Sequence, residues 1–143
     1  MLHHLNNIHD RYITGIQWDA TNGILFTCSN DKSVKIFKFD PNNQNQEPKV
    51  LHHLKNIHDN FITGMQWDAK NGILFTCSAD KSVKIKKFDL NNRNQEPNVL
   101  HHLKNIHDDE ILGMEWDATN GILFTCSQDK SVKILKFDPN NRN

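Results

Sequence analysis

The chain has 143 residues, 17 basic against 17 acidic side chains, a pI near 7.1 and a mean hydropathy of -0.69, which suits one domain and excludes a second large one. Apolar residues are 36% and form no long run, which excludes a membrane helix, and the start Met1-Leu-His-His-Leu5 has neither the basic nor the apolar region of a secretory signal. Lys and Asp are interspersed, so the basic footprint of a nucleic-acid binder is absent, and the chain reads as cytoplasmic, with neither nucleic acid nor membrane as partner.

The elements repeat. Trp18, Trp67 and Trp116 are spaced by 49 residues, as are Leu2, Leu51 and Leu100, and segments 2–45, 51–94 and 100–143 agree in all three copies at 33 of 44 positions. A fixed period of this length marks a repeat architecture, here with units 1–50, 51–99 and 100–143 of a single repeat domain covering 1–143. In the middle copy, Phe61 to Trp67 alternates apolar residues as a strand does, and Asp68-Ala-Lys-Asn-Gly72 supplies an Asn-Gly hairpin turn. A second strand, Ile73 to Ser78, follows at once. Ala79-Asp80-Lys81 turns into a third strand, Ser82 to Phe88, where Val83 and Ile85 share a face. Asp89 to Asn98 is a polar loop, and Val99 to Leu103 is a short fourth strand. Gly, Asn and Pro recur too often for a helix of useful length.

Four antiparallel strands per unit fit either a β-propeller blade or one third of a β-trefoil. The order of the motifs favours the blade. Ile8-His9, Ile13 to Trp18, Gly23-Ile-Leu25, Thr27-Cys-Ser-Asn-Asp31 and Lys32-Ser-Val-Lys-Ile36, each repeated twice more, resemble the WD-repeat family. The chain departs from its pattern where Ile8, Ile57 and Ile106 replace the glycine before histidine, and where Phe37, Lys86 and Leu135 replace the terminal tryptophan. The resemblance implies a hydrogen-bonded set inside each blade: His9, Thr27 and Asp31; His58, Thr76 and Asp80; His107, Thr125 and Asp129. It also implies that the sequence repeat is offset from the blade, the outermost strand of one blade preceding the inner strands of the next. Leu2, His3, His4 and Leu5 would then complete a blade built on residues 111–137 of another copy. Three blades are too few to close a ring, so the expectation is a head-to-tail homo-oligomer, first a homodimer of six blades, with a trimer or an open filament as alternatives.

The histidine pairs at 3–4, 52–53 and 101–102 invite a metal reading, but adjacent strand residues point to opposite faces and cannot chelate one ion. The His-Asp pairs at 9–10, 58–59 and 107–108 have no nucleophile at fixed spacing. Cys28, Cys77 and Cys126 lie mid-strand between Thr and Ser, as buried filler. No phosphate loop, paired carboxylates or Cys-x-x-Cys site occurs, so neither an enzyme nor a cofactor is expected. Lys86 is expected to lay its stem on the blade with its charge in water. Only four aligned positions differ in all three copies. Besides Phe37/Lys86/Leu135 they are Arg11/Asn60/Asp109, Tyr12/Phe61/Glu110 and Asn30/Ala79/Gln128, which the resemblance gathers on one rim of the ring as a surface for a protein or peptide partner. The function expected is therefore a self-assembling interaction scaffold; a purely structural, engineered or amplified propeller, or a trefoil lectin, are the alternatives.

Overall fold

A computed structural model describes residues 1–140; the last three residues of the third sequence unit lie outside it. Eleven strands and no helix are present among the described residues. They are β1 (Ile13–Asp19), β2 (Ile24–Ser29), β3 (Val34–Lys38), β4 (Lys49–Leu54), β5 (Ile62–Asp68), β6 (Ile73–Ser78), β7 (Val83–Lys87), β8 (Asn98–Leu103), β9 (Ile111–Asp117), β10 (Ile122–Ser127) and β11 (Val132–Lys136).

These strands form three separate antiparallel sheets, β1-β2-β3-β4, β5-β6-β7-β8 and β9-β10-β11. Separate four-stranded meanders are propeller blades, not the shared barrel of a trefoil. The first sheet takes its outer strand from residues that open the second sequence unit, and among the described residues the third sheet has no outer strand. Innermost strands pack in succession, β1 on β5 and β5 on β9, so the blades fan out in chain order.

The core lies between blades. Phe26, Val34 and Ile36 of the first sheet share one buried cluster with Ile62, Met65 and Phe88 of the second, and Phe75, Val83 and Ile85 of the second share another with Ile111 and Leu123 of the third. Strand alternation makes this possible, because each blade offers apolar residues to both neighbours.

One turn differs in type from the sequence reading, and the next is the tight turn that the sequence suggests. The Asn-Gly step is not a two-residue hairpin turn: only Gly72 takes a positive φ (+66), while Asp68 holds the loop through Asn71 N and Nδ2 at 3.0 and 2.8 Å. A Cβ on Gly72 would lie 2.8 Å from the Phe88 carbonyl oxygen, so glycine is required for packing as well as for φ. In the next turn the left-handed residue is Lys81, φ 71. The strain is absorbed by the aspartate beside it, whose carboxylate accepts from the backbone of Ser82.

Candidate functional site

Each blade carries one histidine-centred network, and the contacts to histidine are nearly identical in all three. In the first, Nδ1 of His9 donates to Asp31 Oδ2 at 3.0 Å and lies 3.0 Å from Ser33 Oγ, while Thr27 Oγ1 donates to Nε2 at 2.8 Å. His58 meets Asp80, Ser82 and Thr76 at 2.9, 3.0 and 2.8 Å. His107 meets Asp129, Ser131 and Thr125 at the same three distances. The sequence thus places the histidine before the inner strand, the threonine on the second strand and the aspartate in the following turn, and the fold brings all three together. Sequence reasoning missed the serine two residues beyond each aspartate. Its hydroxyl donates to the carboxylate at 2.5 Å, and the Ser-x-Asp-x-Ser spacing that turns a chain around one carboxylate was the available signal.

The carboxylate is the hub. Asp31 also accepts from the backbone N of Asp10 and of Ser33. Partial burial favours its neutral form, but hydrogen bonds from Ser33, Asp10 and His9 outweigh it and pull the group to about 2. Asp80 and Asp129 are held below the ordinary carboxylate range in the same way, Asp80 chiefly through His58 and Ser82 and Asp129 through Ser131. Every histidine ring in these networks is sealed from solvent, and the serine hydroxyls point at carboxylate, not at the ring as a nucleophile would. What this arrangement does is lock the loop before one blade to the turn inside it.

Neighbouring blades are tied by a second set of contacts, whose hydrogen bonds the sequence did not reveal, although the place of the tryptophans at the ends of the inner strands fits packing between blades. The β-bulge at Thr14 frees its side chain to donate to the Ile62 carbonyl of the next blade at 2.6 Å. Gln17 donates to the Met65 carbonyl, and Trp67 Nε1 reaches back to Asp19 Oδ2 at 2.8 Å. The second junction repeats these as Thr63 to Ile111, Gln66 to Met114 and Trp116 to Asp68. Each tryptophan also packs on a phenylalanine of the preceding blade: Phe26 and Trp67 have centroids 4.5 Å apart, Phe75 and Trp116 4.6 Å.

The two ends of the fan expose what the junctions bury. Val34, Ile36 and Val83 are wholly buried, whereas their equivalents Val132 and Ile134 on β11 are 64% and 65% exposed. At the other end Ile13 and Ile16 are exposed where Ile62 and Met65 are buried. Beside Trp18 opens a cavity of about 630 Å³, lined by Leu2, His3, Trp18, Leu25, Phe39 and Pro41 among others. It is the counterpart of the site in which Phe26 sits between Trp67 and Phe88. In the segment before β1, His3 makes contacts to the first blade like those of an outer-strand histidine. His3 Nε2 contacts the Gln44 carbonyl at 2.7 Å and stacks edge-on to Phe39 at 5.9 Å. His52, in the outer strand of the first blade, contacts the Arg93 carbonyl at 2.6 Å and Phe88 at 5.7 Å. Asn7 repeats the positive φ of Asn56 and Asn105. Leu2 and His4 lie exposed beside His3 and Leu5.

Three of the four positions that differ in all three copies lie together at the start of the inner strands. Backbone bonds from Asn30 N to Tyr12 O, Ala79 N to Phe61 O and Gln128 N to Glu110 O, at 2.9, 2.9 and 3.0 Å, set them side by side in each blade. Arg11, Tyr12, Phe61, Asp109 and Gln128 are exposed, and Asn60, Asn30 and Glu110 partly so. Ala79, set on this surface by the sequence reading, is instead buried.

Three further sequence readings meet the structure here. The histidine pairs do split across the strand, His52 buried and His53 exposed, and among the described residues no His, Cys, Asp and Glu cluster is arranged to hold a metal ion. Burial pushes the Cys28 and Cys77 thiols up to about 11 and about 12, which leaves them unreactive, but Cys126 is exposed on the open face. Lys86 takes the place that Phe37 fills in the first blade and is only 6% exposed, with Leu74 and Val99 as its neighbours across the sheet. Among the described residues no buried side-chain nitrogen is left without a partner, so its ammonium, which has no protein partner there, keeps contact with water while its stem is buried.

Residues 2–38, 49–85 and 98–141 match the family described as WD domain, G-beta repeat. Over 44 residues, 31% of the chain, the sequence is 36% identical to a protein of Nematostella vectensis described as a probable cytosolic iron-sulfur protein assembly protein CIAO1 homolog. That stretch is 14% of the relative's length, so the chain spans only a small part of it. No helix among the described residues is long and apolar enough to cross a membrane.

Proposed function

Because this chain belongs to the WD-repeat family, we propose that it is a non-enzymatic protein-interaction scaffold whose first partner is a second copy of itself, joined head to tail into a closed ring. WD repeats serve as platforms for protein contacts, and the rim built from Arg11, Tyr12, Asn30, Asn60, Phe61, Asp109, Glu110 and Gln128 is the surface such a partner would meet. Its aromatic and arginine residues are of the types that dominate interface energies, and its third blade is acidic, so the partner combines an apolar anchor with a basic group.

The observation that carries the self-assembly is the segment Leu2-His3-His4-Leu5, held through His3 in the outer-strand position while β11 of the same chain lacks an outer partner. Pairing follows the register of the complete blades. Val34 and Lys35 face Leu54 and His53, and Val83 and Lys84 face Leu103 and His102; Val132 and Lys133 then face Leu5 and His4 of the next copy. Phe124 enters the cavity beside Trp18, and two chains give six blades, within the usual range. No cofactor takes part.

The test is native mass together with thiol accessibility. The intact chain is expected at twice 16.6 kDa, with Cys126 shielded from maleimide. Deleting Met1–Leu5 leaves β11 as an unpaired apolar edge and is expected to abolish the dimer and expose Cys126. An intact chain that keeps the mass of a single copy at every concentration, with Cys126 freely labelled, overturns the proposal.

A further inference from the structure

Resting on that closure, we infer that the junction between the third blade of one copy and the first blade of the next is the weakest in the ring, so that the ring opens and exchanges chains there and not within a chain.

Of the eleven positions at which the repeats differ, three remove inter-blade ties at this one junction. Thr14 and Thr63 each donate from a bulge to the carbonyl of the following blade, at 2.6 and 2.5 Å. The same bulge in β9 carries Leu112, which has no donor. Gln17 and Gln66 each donate an amide N–H to the next inner strand. Their equivalent is Glu115, which as a carboxylate only accepts and so faces the carbonyl of Ile16 as like against like. Arg93 reaches across to Asn22 O at 3.0 Å, whereas its equivalent in the first blade is the shorter, uncharged Gln44, set to meet Asn120.

What remains at the junction comprises the exchanged strand, the Phe124 and Trp18 packing, and Trp18 donating to Asp117 as Trp67 does to Asp19. Leu112, Ile13 and Ile16, all exposed in the single chain, add apolar contact. Such an interface still closes, but it lacks the threonine and glutamine bonds present at both junctions inside the chain and the arginine bond present at the first.

The experiment restores the interior residues. A Gln44→Arg, Leu112→Thr, Glu115→Gln triple variant places at the junction only side chains that the other blades already carry, so the fold is not at risk. Its dimer is expected to dissociate at least about tenfold less readily than the wild type, each bond adding on the order of 1 kcal/mol, and mixed fluorophore-labelled chains should exchange correspondingly slowly. The reciprocal variant, Thr63→Leu with Gln66→Glu, copies the junction into the chain and is expected to lower the melting temperature without weakening the dimer's own interface. Wild-type dimer with no tightening in the triple variant, or no loss of melting in the reciprocal one, refutes this inference and leaves the closure reading standing. Failure of both wild type and triple variant to associate refutes the closure reading, and this inference falls with it.

Discussion

Lys86→Leu should make the protein more stable at neutral pH. The lysine lies on β7 between Leu74 and Val99, and no hydrogen bond or ion pair holds its ammonium among the described residues. Burial pulls its pKa from 10.5 to about 8, the charge of Lys84 adding to the effect and that of Glu96 opposing it. At about 1.4 kcal/mol per pKa unit, the drop corresponds to roughly 3 kcal/mol of unfavourable burial. Residual water at the ammonium lowers the expected gain to about 2 kcal/mol. The sign in pH follows from proton counts. The unfolded chain keeps the lysine proton up to 10.5 and the folded chain releases it near 8, so between these values unfolding takes up a proton and stability rises with pH. Below about 8 the whole penalty is present. Chemical denaturation of wild type and variant at pH 7 and pH 10 therefore should show a gap of that size at the lower pH and a narrower one at the higher. A variant less stable than wild type at pH 7, or a gap that widens with pH, would refute the reasoning.

Trp116→Phe keeps the packing on Phe75 but removes the indole donor to Asp68 at 2.9 Å. A loss of about 1–2 kcal/mol is expected in thermal or chemical unfolding. Trp18→Phe, whose indole nitrogen meets no acceptor within the described chain, should cost the isolated chain clearly less, and equal losses would show that the bond to aspartate is not what holds the blades. Asp80→Asn replaces the charged hub that binds His58, Ser82 and the Asp59 backbone, at an expected cost of about 2–3 kcal/mol at pH 7. Because the carboxyl is depressed in the fold, its contribution is complete above the unfolded value of 3.8 and is lost as pH falls further. The difference between wild type and variant should accordingly shrink below about pH 4, and a difference independent of pH would assign the cost to geometry instead of charge.

The repeated networks and the open faces have different roles in this architecture. The His-Thr-Asp-Ser set is local: all four residues of each belong to one copy and lie within 24 residues of one another. It ties the loop before each blade to the second strand and to the turn that follows it. The Thr, Gln and Trp ties are 48 residues long and convert a row of blades into a rigid arc. A protein built this way has stability that grows with the number of junctions, which is why the two unsatisfied faces matter more here than in a fold with a single closed core.

Periodicity alone settled the repeat unit, the strands and their order, since alternation and turn residues are local properties that read the same in all three copies. The strand limits at Ile73–Ser78 and the short outer strand near Leu103 are visible in the sequence for that reason. The resemblance to the WD-repeat family likewise implied His9, Thr27 and Asp31 as one group. Other features required the third dimension. Whether Val132 is core or surface depends on whether a neighbouring strand exists, and identical residues in identical local sequence are buried on β3 and β7 and bare on β11. How far Lys86 is buried is set by Leu74 and Val99 on the two flanking strands, and not by its own strand. The bonds from Trp67 to Asp19 and from Thr14 to Ile62 join different repeats, so no pattern within one repeat announces them. Local sequence specified the blade, while the contacts between blades, which decide what is buried and what is left to bind, belong to the tertiary structure.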